Sequence, residues 1–365
     1  MNTVVRRNAL VAVAGTLLLS MSACGGSSSG GGSGSGDESA SGGGGFKIGL
    51  LLPDQGSTRY EEADRPSFEA EVAKQCADCE VLYANADRDS SKQQQQAESL
   101  LAQGVSVLVI DPVESAAAGS TVNAAMAQGV PVIGYDRGMP DSPLTYFVSF
   151  DSVTIGQQQA QSLVDEVGTA GPGAGVIVLN GSPTDAAAGE FKKGAHDVLD
   201  QSGVPILAEF DTPGWDYPQA QNWLAGQITQ FEGRIAGVYA ANDGLAAAAL
   251  ASLSAAGVSP IPPITGQDAE LAAVQRIVAG QQYMSVYKDV TKEGAEAARV
   301  AVSLARGEEV SGEDEVEPDV PATLFEPQVI TIENVQSDIV DAGVYAAGDI
   351  CTAEYAAACT AAGIK

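Results

Sequence analysis

Basic residues are few. Against 47 Asp and Glu the 365-residue chain sets only 18 Lys and Arg, giving a net charge of −29 and a pI of about 4.1. A field this negative repels a phosphate backbone, so nucleic acid is excluded as a partner. Histidine is rarer still, with His196 alone. The chain also has no Gly-x-Ser-x-Gly elbow, no HExxH pair and no P-loop, which removes the common hydrolase, metalloprotease and nucleotide-binding signatures. Aromatics are only 5%, and after the first 20 residues no apolar run reaches the roughly 20 positions that a spanning helix needs. What the chain does have is 45% hydrophobic residues and 42 glycines, the composition of an Ala/Val-rich α/β core. Its length suggests two domains.

Arg6 and Arg7 precede an apolar run from Ala9 to Leu19, and small residues lead from there to Cys24. This reads as a secretory signal peptide over residues 1–24. Met21-Ser22-Ala23-Cys24 resembles the lipobox of bacterial lipoproteins, with Met21 in place of the usual Leu; the resemblance implies that Cys24 is acylated and becomes the new N-terminus. Residues 25–45 are almost entirely Gly and Ser. They read as a flexible tether with a reach of roughly 25 Å. The expected location is extracytoplasmic, with a soluble domain held at the cell membrane by the N-terminal lipid.

Four cysteines remain, Cys76, Cys79, Cys351 and Cys359. In an oxidising compartment an even set reads as disulfides; three pairings are open, and the two local ones, Cys76–Cys79 and Cys351–Cys359, are favoured. A separation of eight on one unbroken helix means about 12 Å of rise, so the second bridge requires a helix beginning after Cys351, with Thr352 as N-cap. A redox or zinc role for Cys76-Ala77-Asp78-Cys79 lacks a second CxxC and a nearby histidine. His196, among Lys192, Lys193 and Asp197, reads as a surface residue, and no metal or cofactor is expected.

From Phe46 onward short apolar runs alternate with helical patterns. Phe46–Pro53, Glu80–Ala84, Val105–Asp111 and Pro131–Asp136 read as strands, with helices over Ser90–Gln103 and Ala116–Gln128 ended by Gly104 and Gly129. The Gln93–Gln96 run reads as a polar helix face. A second series follows Tyr146–Phe150: strands at Gly175–Leu179, Pro205–Phe210, Ile235–Ala240 and Ile264–Gln267, and helices at Ile155–Val167, Gly189–Asp200, Pro218–Phe231, Gly244–Ala256 and Glu270–Ala279. The fold class is α/β, with two doubly wound parallel-sheet lobes. Ligands of such sheets bind beyond the carboxyl ends of the strands.

Those ends carry Asp54, Arg59-Tyr60, Asp136-Arg137, Asp185, Trp215, Asn242-Asp243, Asp268 and, later, Lys288. A polyol asks for such a set, because each hydroxyl both donates and accepts while an aromatic face covers the C–H side of the ring. Any single Asp or Asn at these junctions could equally cap a helix.

From Lys47 to about Pro327 the chain resembles the periplasmic monosaccharide-binding proteins of ABC importers, the xylose-binding members above all. The resemblance rests on Val130-Pro131-Val132-Ile133-Gly134-Tyr135-Asp136-Arg137, Val148-Ser149-Phe150-Asp151, Gly181-Ser182-Pro183-Thr184-Asp185, Asn242-Asp243, Gly266-Gln267-Asp268-Ala269 and Val286-Tyr287-Lys288. It implies sugar contacts from Arg59, Asp136, Arg137, Asp185, Trp215, Asn242, Asp268 and Lys288. It also implies a type I fold with three hinge crossovers near 146–151, 284–288 and 323–326. The lobes are then 46–149 with 288–323 and 150–287 with 324–350, leaving 351–365 as a tail; the first lobe gains a helix around Thr291–Arg306, the second a strand at Gln328–Ile332. Where xylose binders carry Asn-Asn, this chain has Ala186-Ala187, and Tyr60 stands where Trp is usual. The run from Gly266 to Asp289 also resembles multiple-sugar aldose binders that feed chemoreceptor pathways.

The expected function is capture of a monosaccharide, D-xylose or a related aldose, and its delivery to an ABC permease by a monomer. The alternatives are a glucose or galactose binder with a chemosensory role, or a glycoside-processing enzyme using Asp136, Asp185 and Asp268. Arg137 and Lys288 beside those carboxylates favour ionised acceptors over the protonated acid that hydrolysis needs.

Overall fold

The computed structural model describes residues 45–168, 171–316 and 319–365. The signal peptide, Cys24 and nearly all of the tether lie outside the described residues. In chain order the elements are β1 (Lys47–Leu52), α1 (Arg65–Gln75), β2 (Glu80–Asn85), α2 (Ser90–Ala102), β3 (Val107–Ile110), α3 (Ser115–Ala127), β4 (Val132–Tyr135) and β5 (Tyr146–Phe150). Next come α4 (Ser152–Val167), β6 (Gly175–Asn180), α5 (Ala186–Ser202), β7 (Ile206–Asp211), α6 (Tyr217–Gln230), β8 (Ile235–Ala240), α7 (Asp243–Ala255), α8 (Leu271–Val278) and β9 (Met284–Tyr287). The chain ends with α9 (Val290–Ala305), β10 (Asp314–Val316), β11 (Val320–Phe325), β12 (Gln328–Thr331), α10 (Ala347–Ile350) and α11 (Ala356–Ala362).

The first lobe is a seven-stranded sheet, ordered β10-β11-β5-β4-β3-β1-β2. All its pairings are parallel except β10 with β11. Leu108, Val109, Ile110, Val132 and Ile133 are wholly or almost wholly inaccessible, as continuous apolar runs in a sheet covered on both faces should be. The β10–β11 hairpin is an element the sequence pattern does not reveal, because Asp314-Glu315-Val316 is a short, half-polar edge strand.

In the second lobe β7-β6-β8 form a parallel sheet, and β9 pairs antiparallel with β12. Between them the expected strand Ile264–Gln267 is reduced to two parallel bridges, Val238 with Ile264 and Gln267 with Val286. Its backbone bonds alternate between neighbours, Thr265 donating to Val238 and Gly266 accepting from Val286, before Asp268 turns out of line at φ 96°. Helices α4 and α5 meet backbone to backbone at Gly156 and Gly194, where a Cβ would run into the Phe191 and Val153 carbonyl oxygens respectively.

Three connections cross between the lobes. Strand β5 passes through Asp151 to α4; β9 passes through Lys288 and Asp289 to α9, which packs against α1; β11 passes through Glu326 and Pro327 to β12. Residues 284–287, read from sequence only as a crossover, are thus a strand of the second lobe. Residues beyond 351, read as a tail, carry α11, and Cys359 is buried in a cluster with Val274, Ile277 and Ile339.

The sulfurs of Cys76 and Cys79, and those of Cys351 and Cys359, lie at bonding distance. The helix after Cys351 starts at Ala356, not Ala353, so Tyr355 and not Thr352 precedes it. Gln93 departs from the polar-face reading. It is buried, its amide donating to the Asp111 carbonyl at 2.7 Å and its oxygen accepting from the Val113 N–H at 2.9 Å, so it braces the turn after β3.

Candidate functional site

The carboxyl ends of both parallel sheets face one small cavity of about 30 Å³, room for little more than a water molecule while its walls are paired with one another. All eight residues expected at the site line it: Arg59, Asp136, Arg137, Asp185, Trp215, Asn242, Asp268 and Lys288. Every one of them is buried except Asp268, which is nearly so.

Helix capping and cavity lining turn out to be compatible roles. One Asp185 oxygen accepts from the Ala187 and Ala188 N–H groups and so caps α5. Its other oxygen accepts from Trp215 Nε1 at 3.0 Å and pairs with Arg137 Nε at 3.0 Å. Asn242 Oδ1 likewise caps α7 through the Leu245 N–H, leaving Nδ2 to donate to the Tyr217 hydroxyl at 3.2 Å.

Arg59 is held from behind. Its Nε and Nη2 form a bidentate pair with Asp64 at 3.0 and 2.7 Å, and Nη2 also meets Glu293 at 3.2 Å. Its Nη1 is thereby aimed at Asp136 and Asp268, at 3.3 and 3.5 Å. Lys288, on the hinge, meets the same two carboxylates at 3.1 and 3.2 Å. Burial alone would raise the Asp136 carboxyl, yet Arg59, Lys288 and Arg137 together hold it well below the usual carboxylate range. Glu293 and Asp64, set deeper, are pushed up by burial against the pull of Arg59. At the cavity face three cationic groups meet four carboxylates, Asp54, Asp136, Asp185 and Asp268, with Arg88 pairing Asp54 from outside the lining at 3.9 Å. Such a face has no net preference for an anion or a cation, and it offers fixed donors and acceptors to a neutral polar molecule.

Three of these residues also have unusual backbones: Asp136, Trp215 and Asp268 have φ of 58°, 54° and 96°. The conformations are fixed by neighbouring strands, the Asp136 N–H donating to Val148 O and the Asp268 N–H to Val286 O, at 2.9 and 2.8 Å. Non-glycine residues in this region cluster at functional sites, where surrounding structure imposes them. For Trp215 the ring also closes against Gly181, where any Cβ would overlap it. The glycine of Gly181-Ser182-Pro183 therefore makes room for the aromatic wall.

Sequence reasoning missed several wall residues. Tyr217, Phe191, Gln267 and Ser57 also line the cavity. Tyr217 had a usable signal, since it lies two residues past Trp215 at the first position of α6. The supports behind the wall had none. Glu293 sits in the first turn of α9, where an acidic residue reads as a complement to the helix dipole, and only the second crossover, from β9 to α9, carries it beneath Arg59. Asp111, fully buried beside Arg137 at 3.5 Å, is similar. His196 is not at the site; it lies between Asp200 and Glu209, at 3.2 and 3.0 Å. Among the described residues no group of His, Cys, Asp and Glu side chains is arranged to hold a metal ion, and no helix is long and apolar enough to cross a membrane.

Comparison with known proteins bears on the family and the fold. The profile of the family described as "Periplasmic binding protein domain" matches residues 48–309. The D-xylose-binding periplasmic protein of Haemophilus influenzae is 32% identical over 306 residues, covering 82% of this chain and 90% of that one. Among solved structures, a carbohydrate transporter solute binding protein from Chloroflexus aurantiacus, in complex with D-glucose, superposes with a TM-score of 0.76 at 30% identity, covering 83% of this chain and 97% of the other. An ABC transporter solute binding protein from Clostridium phytofermentans with bound β-D-glucose gives a TM-score of 0.75 at 26% identity, with coverage of 83% and 99%.

Proposed function

The chain belongs to the periplasmic binding protein family, and from that premise we propose that it captures a neutral monosaccharide between its lobes and delivers it to an ABC permease. It is a binding protein and not an enzyme, as its relatives are. The observation that carries the substrate class is the cavity of mutually paired charges into which strand ends of both lobes direct planar donors and acceptors. A sugar seated there would be gripped by Arg59, Asp136 and Arg137 from the first lobe, and by Asp185, Asn242, Asp268 and the Trp215 ring from the second. Lys288 would reach it from the hinge. Closure about the three crossovers would then enclose it.

D-xylose or a related aldose fits this reading. A broader aldose binder, accepting glucose or galactose, is favoured by one specific observation: at Ala186 and Ala187 the wall carries methyl groups and no side-chain donor or acceptor. Glucose in the two solved relatives supports the same breadth. Around the domain, residues 1–24 would direct export, Cys24 would carry the lipid, residues 25–45 would tether a monomer to the membrane, and both cysteine pairs would be disulfides in that oxidising compartment.

A melting-temperature screen tests the substrate class, because a ligand that binds only the folded state raises its stability. Neutral pentoses and hexoses should raise the melting temperature, while a uronic acid and an amino sugar of the same ring should not. A shift confined to the charged sugars would refute the neutral-ligand reading.

A further inference from the structure

The charged groups of the cavity wall are all engaged by other parts of the protein. Arg137 pairs with Asp185 at 3.0 Å, and Lys288 with Asp136 and Asp268 at 3.1 and 3.2 Å. The Asn242 amide and the Tyr217 hydroxyl hydrogen-bond each other. A sugar hydroxyl that bonds to any of these groups displaces or shares a partner, so its gain is offset by what the wall gives up. One wall group has nothing to give up. Of the buried side-chain oxygens and nitrogens with no hydrogen-bond partner among the described residues, only Gln267 Oε1 belongs to a residue lining the cavity.

The backbone fixes where Gln267 stands. Its carbonyl accepts from the Asp243 N–H at 3.0 Å, and the next N–H, that of Asp268, donates to Val286 O at 2.8 Å, so the segment is held between the start of α7 and β9. Neighbours along an extended chain point to opposite sides. The turn at Asp268, with φ of 96°, breaks that alternation, and both side chains line the cavity. The Gln267 amide nitrogen donates to Asp268 Oδ1 at 3.4 Å, the oxygen that Arg59 Nη1 and Lys288 Nζ also approach, at 3.5 and 3.2 Å. That carboxylate decides which way round the amide stands, because the reverse orientation would set oxygen against oxygen. Oε1 is left with both lone pairs unused in a side chain that is 3% exposed. A buried acceptor without a partner carries the full cost of its lost hydration, and native interiors hold few of them.

Resting on the sugar reading above, we propose that Gln267 is a further sugar-contacting and specificity-determining residue, whose Oε1 accepts a hydrogen bond from one ring hydroxyl. No protein bond is given up in exchange. The contact therefore discriminates more sharply than those of the paired charges against a sugar that lacks this hydroxyl or carries it on the other face of the ring.

The test is calorimetric titration of the mature protein with D-xylose, D-glucose and the monodeoxy and monodeoxyfluoro analogues of each. Fluorine fills the place of a hydroxyl and cannot donate. Wild type should bind the analogue altered at one ring position about tenfold more weakly than the parent sugar. Gln267→Met, which keeps the length of the side chain and removes the amide, should weaken the parent by about the same factor and bind that one analogue within about twofold of wild type. Gln267→Glu keeps an oxygen in this place and should keep the discrimination; Gln267→Leu replaces the Met variant if melting curves show that one unfolded. Equal losses for the parent and every analogue in the Met variant would overturn the contact, as would parent binding unchanged from wild type, and either result leaves the sugar reading intact. If wild type binds no neutral sugar, the sugar reading itself falls and takes the inference with it.

Discussion

Trp215 holds a left-handed backbone conformation, donates to Asp185 and closes its ring against Gly181, so three independent constraints fix one aromatic face in the cavity wall. Trp215→Ala removes that face while Asp185 keeps its cap on α5. Sugar affinity should fall by about 1 kcal/mol or more with the fold retained, which titration and circular dichroism would show. Unchanged affinity in a folded variant would reduce Trp215 to a packing residue. Ala187 predicts the reverse kind of change. Ala187→Asn places an amide in the cavity wall and should shift preference toward the pentose by about tenfold, or roughly 1.4 kcal/mol; equal pentose-to-hexose ratios before and after would show that another group already serves that hydroxyl. At this scale the sequence was most informative where chemistry and position coincide, as at Asp136-Arg137 and Asn242, whose residue types sit directly after strands. It was silent on Glu293 and Asp111, because their burial is set by which helix or strand crosses above them and not by their neighbours in the chain.

Among the elements, the loop after β1 and the start of α8 form a direct link between the lobes. Glu270, the residue before α8, accepts from the Ser57 hydroxyl and, at 3.2 Å, from the Thr58 N–H. On the far side of the cavity the start of α3 meets the start of α5, with the Ser115 N–H donating to Thr184 O at 2.9 Å. Glu270, Ser115 and Thr184 stand outside the cavity lining, so the two contacts act on closure of the lobes. Removing one should lower the population of the closed form and thereby the apparent affinity. Glu270→Ala is expected to weaken sugar binding by about threefold to tenfold through faster release, with little change in the association rate, as stopped-flow fluorescence would resolve. A variant with wild-type release would remove Glu270 from the closure mechanism. The elements themselves were legible wherever an apolar run met a clear stop, as at Gly104 and Gly129, whose φ of 76° ends α2 and α3. They were illegible where pairing is long-range: β10 exists only because β11 lies beside it, and residues 264–267 serve as bridges because neighbours on both sides compete for their backbone.

For the whole molecule, the excess of carboxylates combined with burial predicts how stability depends on pH. Asp243, buried at the start of α7, is pushed up by that burial to about 8, far above its unfolded value. A carboxyl raised in this way stabilises the fold fully below its unfolded pKa and loses that contribution as pH rises to about 8. His196 changes in the same direction: burial would lower it, but Glu209 and Asp200 raise it, so its contribution too is lost as pH rises through its folded value. Asp136 behaves oppositely, its contribution being lost only as pH falls below the ordinary carboxylate range. The melting temperature should therefore decline as pH rises from about 4 to about 8, and Asp243→Asn should flatten the decline by about 2 °C or more. A wild-type profile level across that range would contradict the burial argument. The two-lobe plan was the most legible feature at this scale, since two series of strand and helix runs separated at 146–150 leave few other arrangements.

The central claim is that the strand-end cavity holds one neutral sugar and leaves it chemically unchanged. Titrating the mature protein with D-xylose and D-glucose, then releasing the bound sugar by denaturation and separating it by chromatography, tests both halves together. The account predicts one sugar bound per chain and full recovery of the same sugar. Absence of binding to any neutral aldose, or recovery of a different product, would contradict it.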